Sequence, residues 1–198
     1  MNIEDFYDAD ERRPDLRKPF IVDGRTIASN GHILMSAALN KQYDGAGDEQ
    51  AKRIRSILSG LDGKQFGPMP KITLPDPTEC FICAGAGKSS KKDCEECVGE
   101  GDVYFYNGFN NYECECDSCG GDGFNYCQST DEDCFKCRGE GVIYGWRDAP
   151  VVLGVKVNAN YLRLIIDAPN LEVFADIEKK MLAFRSGDDY GLIMGLTS

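Results

Sequence analysis

The sequence predicts an α+β fold: one domain of antiparallel sheets plus two helices, with a cysteine-rich, zinc-binding module inserted into it. Three observations predict it. Short runs of strand-forming residues broken by Asp-Gly and Asn-Gly pairs occupy both ends of the chain. Two segments with apolar residues at helical spacing lie among those runs. All 10 cysteines fall within residues 80–141.

In the first flank, KPFIVDGRTIASNGHILMSA (residues 18–37) carries turn signals at Asp23-Gly24 and Asn30-Gly31, so it reads as a three-stranded meander. DEQAKRIRSILSG (48–60) follows, with Ala51, Ile54, Ile57 and Leu58 at helical spacing and Gly60 as its end. Lys52, Arg53 and Arg55 give this helix a basic side. GPMPKITLPDPTEC (67–80) then enters the cysteine-rich part through four prolines, and YGWRDAPVVLGVKV (144–157) leaves it straight into a strand. In the second flank VVLGVKV reads as one strand. NANYLRLIID reads as a helix capped at Asn158 or Asn160, and NLEVFAD, KKMLAFRSG and DYGLIMGL read as three more strands. The expected order there is βαβββ. A module whose two ends are adjacent can enter a surface loop without disturbing its host, so residues 1–79 and 142–198 are expected to pack as one discontinuous domain around an inserted 80–141.

At 198 residues and 42% hydrophobic composition the chain can build a core, and no apolar run approaches the roughly 20 residues of a spanning helix. The acidic, mixed start MNIEDFYDADERRPDLRKPF does not resemble a secretory signal, so a reducing cytoplasm is the expected compartment and the cysteines read as metal ligands rather than disulfides. The net charge of −11 is uneven. Lys/Arg against Asp/Glu is 11 to 13 in residues 1–79, 5 to 13 in 80–141 and 6 to 7 in 142–198. The acidic middle would repel a polyanion.

Four stretches obey CxxCxGxG: CFICAGAG (80–87), CEECVGEG (94–101), CDSCGGDG (116–123) and CFKCRGEG (134–141). A two-residue gap lets a tight knuckle present both thiolates to one metal, and each knuckle supplies half a tetrahedral site. The glycines are expected to adopt backbone conformations closed to other residues and to aim N–H groups at the sulfurs. Four half-sites make two Zn²⁺ ions. The stretch is poor in aliphatic residues, so metal must supply the folding free energy that burial does not.

These motifs closely resemble the cysteine-rich zinc domain of DnaJ-type co-chaperones, over residues 80–141 only. The resemblance implies an elongated pair of β-hairpins in which the first and fourth knuckles share one zinc and the second and third share the other. Its ligand sets are Cys80, Cys83, Cys134 and Cys137, and Cys94, Cys97, Cys116 and Cys119. Cys114 and Cys127 stay outside this scheme, and CECDSC leaves Cys114 close enough to Cys116 and Cys119 to compete as a ligand. The His-Pro-Asp tripeptide with which such co-chaperones engage their ATPase does not occur in residues 1–79, and the sole histidine, His32, falls in a hairpin turn. The ATPase-stimulating activity is therefore not expected.

The βαβββ order and the ending MLAFRSGDDYGLIMGL, with TIASNGHILM in the first flank, resemble one domain of the bacterial replicative sliding clamp; the ending also resembles small phage-encoded proteins. Clamp helices line a DNA channel, so the resemblance makes Lys52, Arg53 and Arg55 the nucleic-acid candidates. A clamp ring needs six such domains, so nucleic acid is expected only through the clamp-like domain of a homo-oligomer.

No nucleotide-binding loop or catalytic constellation is evident, and four-cysteine zinc sites are closed to substrate, so an enzyme is not expected. The reading is a non-enzymatic, phage-encoded binding protein whose acidic zinc arm engages or inhibits a host protein. Its protein-binding candidates are Tyr104, Phe105, Tyr106, Phe109 and Tyr112, which crowd around Asn107-Gly108. The alternatives are a replication or recombination accessory that binds DNA as an oligomer, and a chaperone-like polypeptide-binding module. No membrane partner is expected.

Overall fold

The computed structural model describes residues 1–7, 13–134, 136–145 and 149–197. It divides into two compact units, one of Met1–Asp76 with Tyr144–Ser198 and one of Pro77–Ile143. Along the chain come β1 (Phe20–Val22), β2 (Arg25–Ser29), β3 (Ile33–Ala37), α1 (Asp48–Ser59) and β4 (Gly67–Pro68). Next are β5 (Thr78–Glu79), β6 (Lys88–Asp93), β7 (Asp102–Tyr106), β8 (Asn111–Glu115), β9 (Phe124–Asp133) and β10 (Val142–Ile143). The return carries β11 (Val151–Val152), β12 (Val155–Lys156), α2 (Ala159–Leu162), β13 (Glu172–Asp176), β14 (Met181–Ser186) and β15 (Asp189–Met194). The architecture is α+β, of antiparallel sheets with two helices.

The first unit is built on one seven-stranded sheet in the order β1-β2-β3-β15-β14-β13-β4. The chain's two flanks meet at its centre, where β3 pairs antiparallel with β15. Alternate residues serve two different cores. Ile33, Met35, Leu182, Phe184 and Ile193 face a cluster that includes Val152, Leu162 and Ile165. Leu34, Met181, Ala183 and Leu192 face a second cluster with Ala51 and Ile54 of α1. The two helices thus pack on opposite faces, and β3 and the centre of β14 read as continuous apolar runs because both sides are covered.

The meander forms as its turn residues dictate. Asp23 (φ 49°) and Gly24 (φ 75°) make the two-residue β1–β2 turn, with both residues left-handed. The β2–β3 loop is longer: the Asn30 side chain accepts from the His32 and Ile33 N–H groups at 2.9 and 3.0 Å. His32 stacks on Tyr161 with ring centroids 6.3 Å apart, and its carbonyl accepts from the Met194 N–H at 2.7 Å.

Two expectations for the second flank are corrected. VVLGVKV is a hairpin rather than one strand, because Leu153 (φ 48°) and Gly154 (φ 88°) turn the chain between β11 and β12. The order becomes ββαβββ. NANYLRLIID is helical only over Ala159–Leu162; it starts at Asn158, whose side chain accepts from the Asn160 N–H. Beyond Leu162 the bonds are mixed, Leu164→Tyr161 and Ile165→Leu162 three residues apart and Ile166→Leu162 four. The adjacent β-branched Ile165 and Ile166 disfavour continuation of the helix, and Pro169 bars α geometry only later, at Ala168. The exit segment YGWRDAP lies outside the described residues at 146–148.

The second unit is one long antiparallel hairpin pinched twice. β5 pairs with β10, β6 with β9 and β7 with β8. The four knuckles interrupt the strands between these ribbons, two at each pinch. The β5–β10 ribbon belongs to this unit, so the change of unit falls at Pro77 and Ile143.

Candidate metal centres and the distal tip

Each knuckle begins where a strand ends, and its backbone is fixed by its own glycines and by the knuckle opposite. In the first pinch the Cys80 N–H donates to the Gly141 carbonyl at 2.9 Å, and the Cys134 N–H donates to the Gly87 carbonyl at 2.8 Å. The second pinch repeats this, Cys94 to Gly123 at 2.9 Å and Cys116 to Gly101 at 2.8 Å. The exchange is reciprocal, and it pairs first knuckle with fourth and second with third.

Gly87 (φ 74°) and Gly141 (φ 76°) are left-handed, and a Cβ on either would drive into a carbonyl oxygen across the pinch, that of Gly139 or of Gly85. Their N–H groups donate to sulfur: Gly87 to Cys83 at 3.3 Å and Gly141 to Cys137 at 3.2 Å. Gly101 and Gly123 do the same for Cys97 and Cys119, both at 3.3 Å. Such bonds stabilise thiolate charge and fix the direction of the sulfur. We predict that Gly141→Ala weakens one centre only: one of two zinc ions should go to a competing chelator at a concentration the wild type withstands. Gly108→Ala at the open tip should retain both ions and cost about 1–2 kcal/mol of backbone strain. Zinc counting by native mass spectrometry reads both.

The sulfurs form two tetrads. Cys80, Cys83, Cys134 and Cys137 make one and Cys94, Cys97, Cys116 and Cys119 the other, with the sulfurs of each within 4.8 Å of one another. A tetrahedron with metal–sulfur bonds of about 2.3 Å has edges of about 3.8 Å. The Cys80–Cys134 and Cys83–Cys137 separations are 3.9 and 3.7 Å. Those of Cys94–Cys116 and Cys97–Cys119 are 3.8 and 3.7 Å. All these cysteines are buried except Cys119, which is half-buried. Each tetrad is able to hold one metal ion, and the donor sets suit two Zn²⁺.

The protein itself prepares one thiolate in each tetrad. Cys94 is held down at about 6, chiefly by the Cys97 backbone N–H. Burial opposes ionisation of Cys134, but the Ser89 hydroxyl and the Cys137 and Lys136 N–H groups bring it down to about 7. Burial pushes Cys116 and Cys137 up to about 12. Those thiols ionise only against a metal's charge, so metal capture near neutral pH releases protons.

One part of the motif is not evident from the cysteine spacing. An acidic residue precedes every knuckle: Glu79, Asp93, Glu115 and Asp133. Each side chain lies against the first of the two glycines that the CxxCxGxG pattern specifies, Gly85, Gly99, Gly121 and Gly139 in turn. The repeat is therefore nine residues long, and the signal was present in TEC, KDC, CEC and EDC. Cys114 and Cys127 are exposed and stand outside both tetrads. Cys114 Sγ lies 3.7 Å from the Val103 carbonyl and Cys127 Sγ 3.5 Å from the Ser90 hydroxyl.

Beyond the second pinch, β7 and β8 form a ribbon closed by the Asn107 side chain, which accepts from the Phe109 and Asn110 N–H groups at 3.1 and 2.9 Å. All five aromatic candidates are exposed here: Tyr104 at 61%, Phe105 at 58%, Tyr106 at 72%, Phe109 at 92% and Tyr112 at 51%. Phe105 faces Tyr112 across the ribbon, and Tyr104 faces Glu113. The Glu113 carboxylate raises the Tyr104 phenol above its ordinary value.

The three nucleic-acid candidates are exposed on α1 but not equivalent. Arg55 is clamped by Asp23 through two bonds of 2.9 and 2.8 Å, and this pairing lowers the Asp23 carboxyl. Lys52 and Arg53 remain. No protein-family model matches the chain. Among the described residues no helix is long and apolar enough to cross a membrane.

Proposed function

We propose that this is a non-enzymatic binding protein in which a DnaJ-type double-zinc arm carries an aromatic hairpin tip to a protein surface. The exposure of all five tip aromatics carries this reading. A monomeric soluble protein rarely leaves large apolar side chains clustered around one turn without using them. With eight thiolates and two Zn²⁺ the arm has a charge of about −12, which favours a basic protein surface and disfavours nucleic acid. Four-thiolate sites offer no open metal position for substrate, consistent with structural rather than catalytic zinc.

A clamp-like reading of the first unit keeps the αβββ part of the expected order, while the β11–β12 hairpin before α2 departs from it. The placement of α1 and α2 on opposite faces of the sheet does not set two helices side by side as a channel lining requires. With Arg55 engaged by Asp23, DNA binding through α1 would rest on Lys52 and Arg53 alone and would be weak and salt-sensitive. A host factor as target is implied only by the resemblance of the chain's ending to phage-encoded proteins; the tip requires only a protein partner.

Affinity capture from cell extract with the intact chain, with residues 77–143 deleted, and with Phe105 and Phe109 changed to Ser tests the proposal. A partner retained by the first and lost by both others is the expected result. A partner retained by the Ser variant would remove the tip from the function. Suppression of aggregation of an unfolded polypeptide by the intact chain alone would assign the same tip to the chaperone-like alternative.

A further inference from the structure

Among the described residues the first unit leaves an apolar groove uncovered. Helical spacing places Ile57 with Ile54 on the core side of α1, yet Ile57 is 43% exposed. It forms one wall of a groove of about 650 Å³, with Met181, Leu192 and Met194 of the sheet opposite. That volume lies within the about 300–1,000 Å³ typical of sites that enclose a ligand. Three cations, Arg13, Arg53 and Lys179, and two carboxylates, Asp15 and Glu49, line the groove. Arg13 is fixed by its bond to the Asn30 carbonyl at 3.0 Å, and Lys179 reaches Asp176 only at 3.7 Å. Arg53 has no carboxylate partner among the described residues.

We propose that this groove receives the distal aromatic tip of a second copy of the chain. The proposal rests on the tip being a protein-docking surface, and it names the partner. The tip offers exposed aromatic rings flanked by Asp102, Glu113 and Glu115; the groove offers an apolar wall with an excess of cations. Among the described residues both are uncovered and apolar, and the charges that flank them are of opposite excess. An aromatic side chain buries about 150–250 Å² when wholly enclosed, so Phe105, Tyr106 and Phe109, now 58%, 72% and 92% exposed, contribute about 450 Å² from the tip side. Counting both sides, the total is about 900 Å², below the standard size of a specific interface, which places the contact among weak, transient associations. Tip into groove is a heterologous contact: each copy has one of each, and assembly continues into rings or open chains.

Sedimentation of the full-length, zinc-loaded protein from micromolar to millimolar concentration tests it. Wild type should show mass rising with concentration, beyond two chains. A Phe105→Ser/Phe109→Ser variant and an Ile57→Glu variant should each stay monomeric. Both alter exposed residues, and circular dichroism with a zinc count of two would confirm that each is folded. Mixed one to one they should form a dimer that stops at two chains, because only one intact tip and one intact groove remain. Wild type that stays monomeric, a single variant that still assembles, or a mixture that does not would each overturn the proposal. Aromatic-dependent capture of another protein alongside a monomeric wild type would leave the proposed function standing and remove only this inference.

Discussion

Chelating zinc from the intact protein should unfold residues 77–143 while the seven-stranded unit stays folded. The reason lies in what each unit buries. In the second unit the two buried clusters are composed of cysteines, with only half-buried Ile82, Ile143 and Val103 against them. The first unit buries Phe6, Phe184, Leu182, Ile193 and many others in two aliphatic and aromatic clusters. Structural zinc contributes about 10–16 kcal/mol to the folding of a small metal domain at neutral pH. A whole domain has a net stability of only about 5–15 kcal/mol, so nothing else in the second unit can replace it. Hydrogen exchange read by mass spectrometry is the suitable measurement. Amides of β6 and β9 should lose protection on adding chelator, and those of β14 and β15 should keep it. Loss of both together would show that the units fold as one, and retained protection in β6 would show that metal is not what holds the arm. Acid should act in the same direction: ligation needs thiolates, so protons compete with metal, and affinity falls as pH falls. Cys116 and Cys137, pushed up to about 12 in the protein alone, are where that competition is strongest.

The parts of this molecule legible in its sequence are those set by local chemistry. The knuckles declare themselves because two thiolates on one metal demand a fixed gap, and left-handed glycines follow from the turn that gap creates. The meander is legible because Asp23-Gly24 and Asn30 close their turns with their own backbone and side-chain preferences. Errors arose where tertiary context decides. Leu153 in a left-handed turn carries no sequence signal of its own; the signal was Gly154 inside an apolar run, which marks a turn as readily as a weak strand. In NANYLRLIID the apolar residues continue to Ile166, beyond the last residue of α2 at Leu162, so periodicity overstates the helix. Ile57 is at core spacing yet lines an open groove, because α1 covers only part of its sheet face. The acids before each knuckle were visible but carry no metal chemistry, and only their packing on the first glycines gives them a place in the motif.

Pairs of cysteine substitutions should give zinc counts set by topology rather than by distance along the chain. Cys80→Ser should leave one ion of two, and so should Cys80→Ser with Cys134→Ser, although those residues lie 54 positions apart. Cys80→Ser with Cys94→Ser, only 14 positions apart in the sequence, should leave none. The expectation follows from the reciprocal bonds at each pinch, which bring Cys80 against the fourth knuckle and Cys94 against the third. A serine hydroxyl is not a thiolate, and a site reduced to three sulfurs should yield its ion to a competing chelator while its neighbour holds. Cys114 supplies the internal control. It is two residues from Cys116, but its sulfur is exposed beside the Val103 carbonyl, whereas Cys116 Sγ is buried 3.8 Å from Cys94 Sγ. Cys114→Ser and Cys127→Ser should therefore keep both ions. If Cys114→Ser lost an ion and Cys116→Ser kept two, the register of the third knuckle would be shifted by two residues. The pairing of second knuckle with third would then have to be rebuilt around CECDSC.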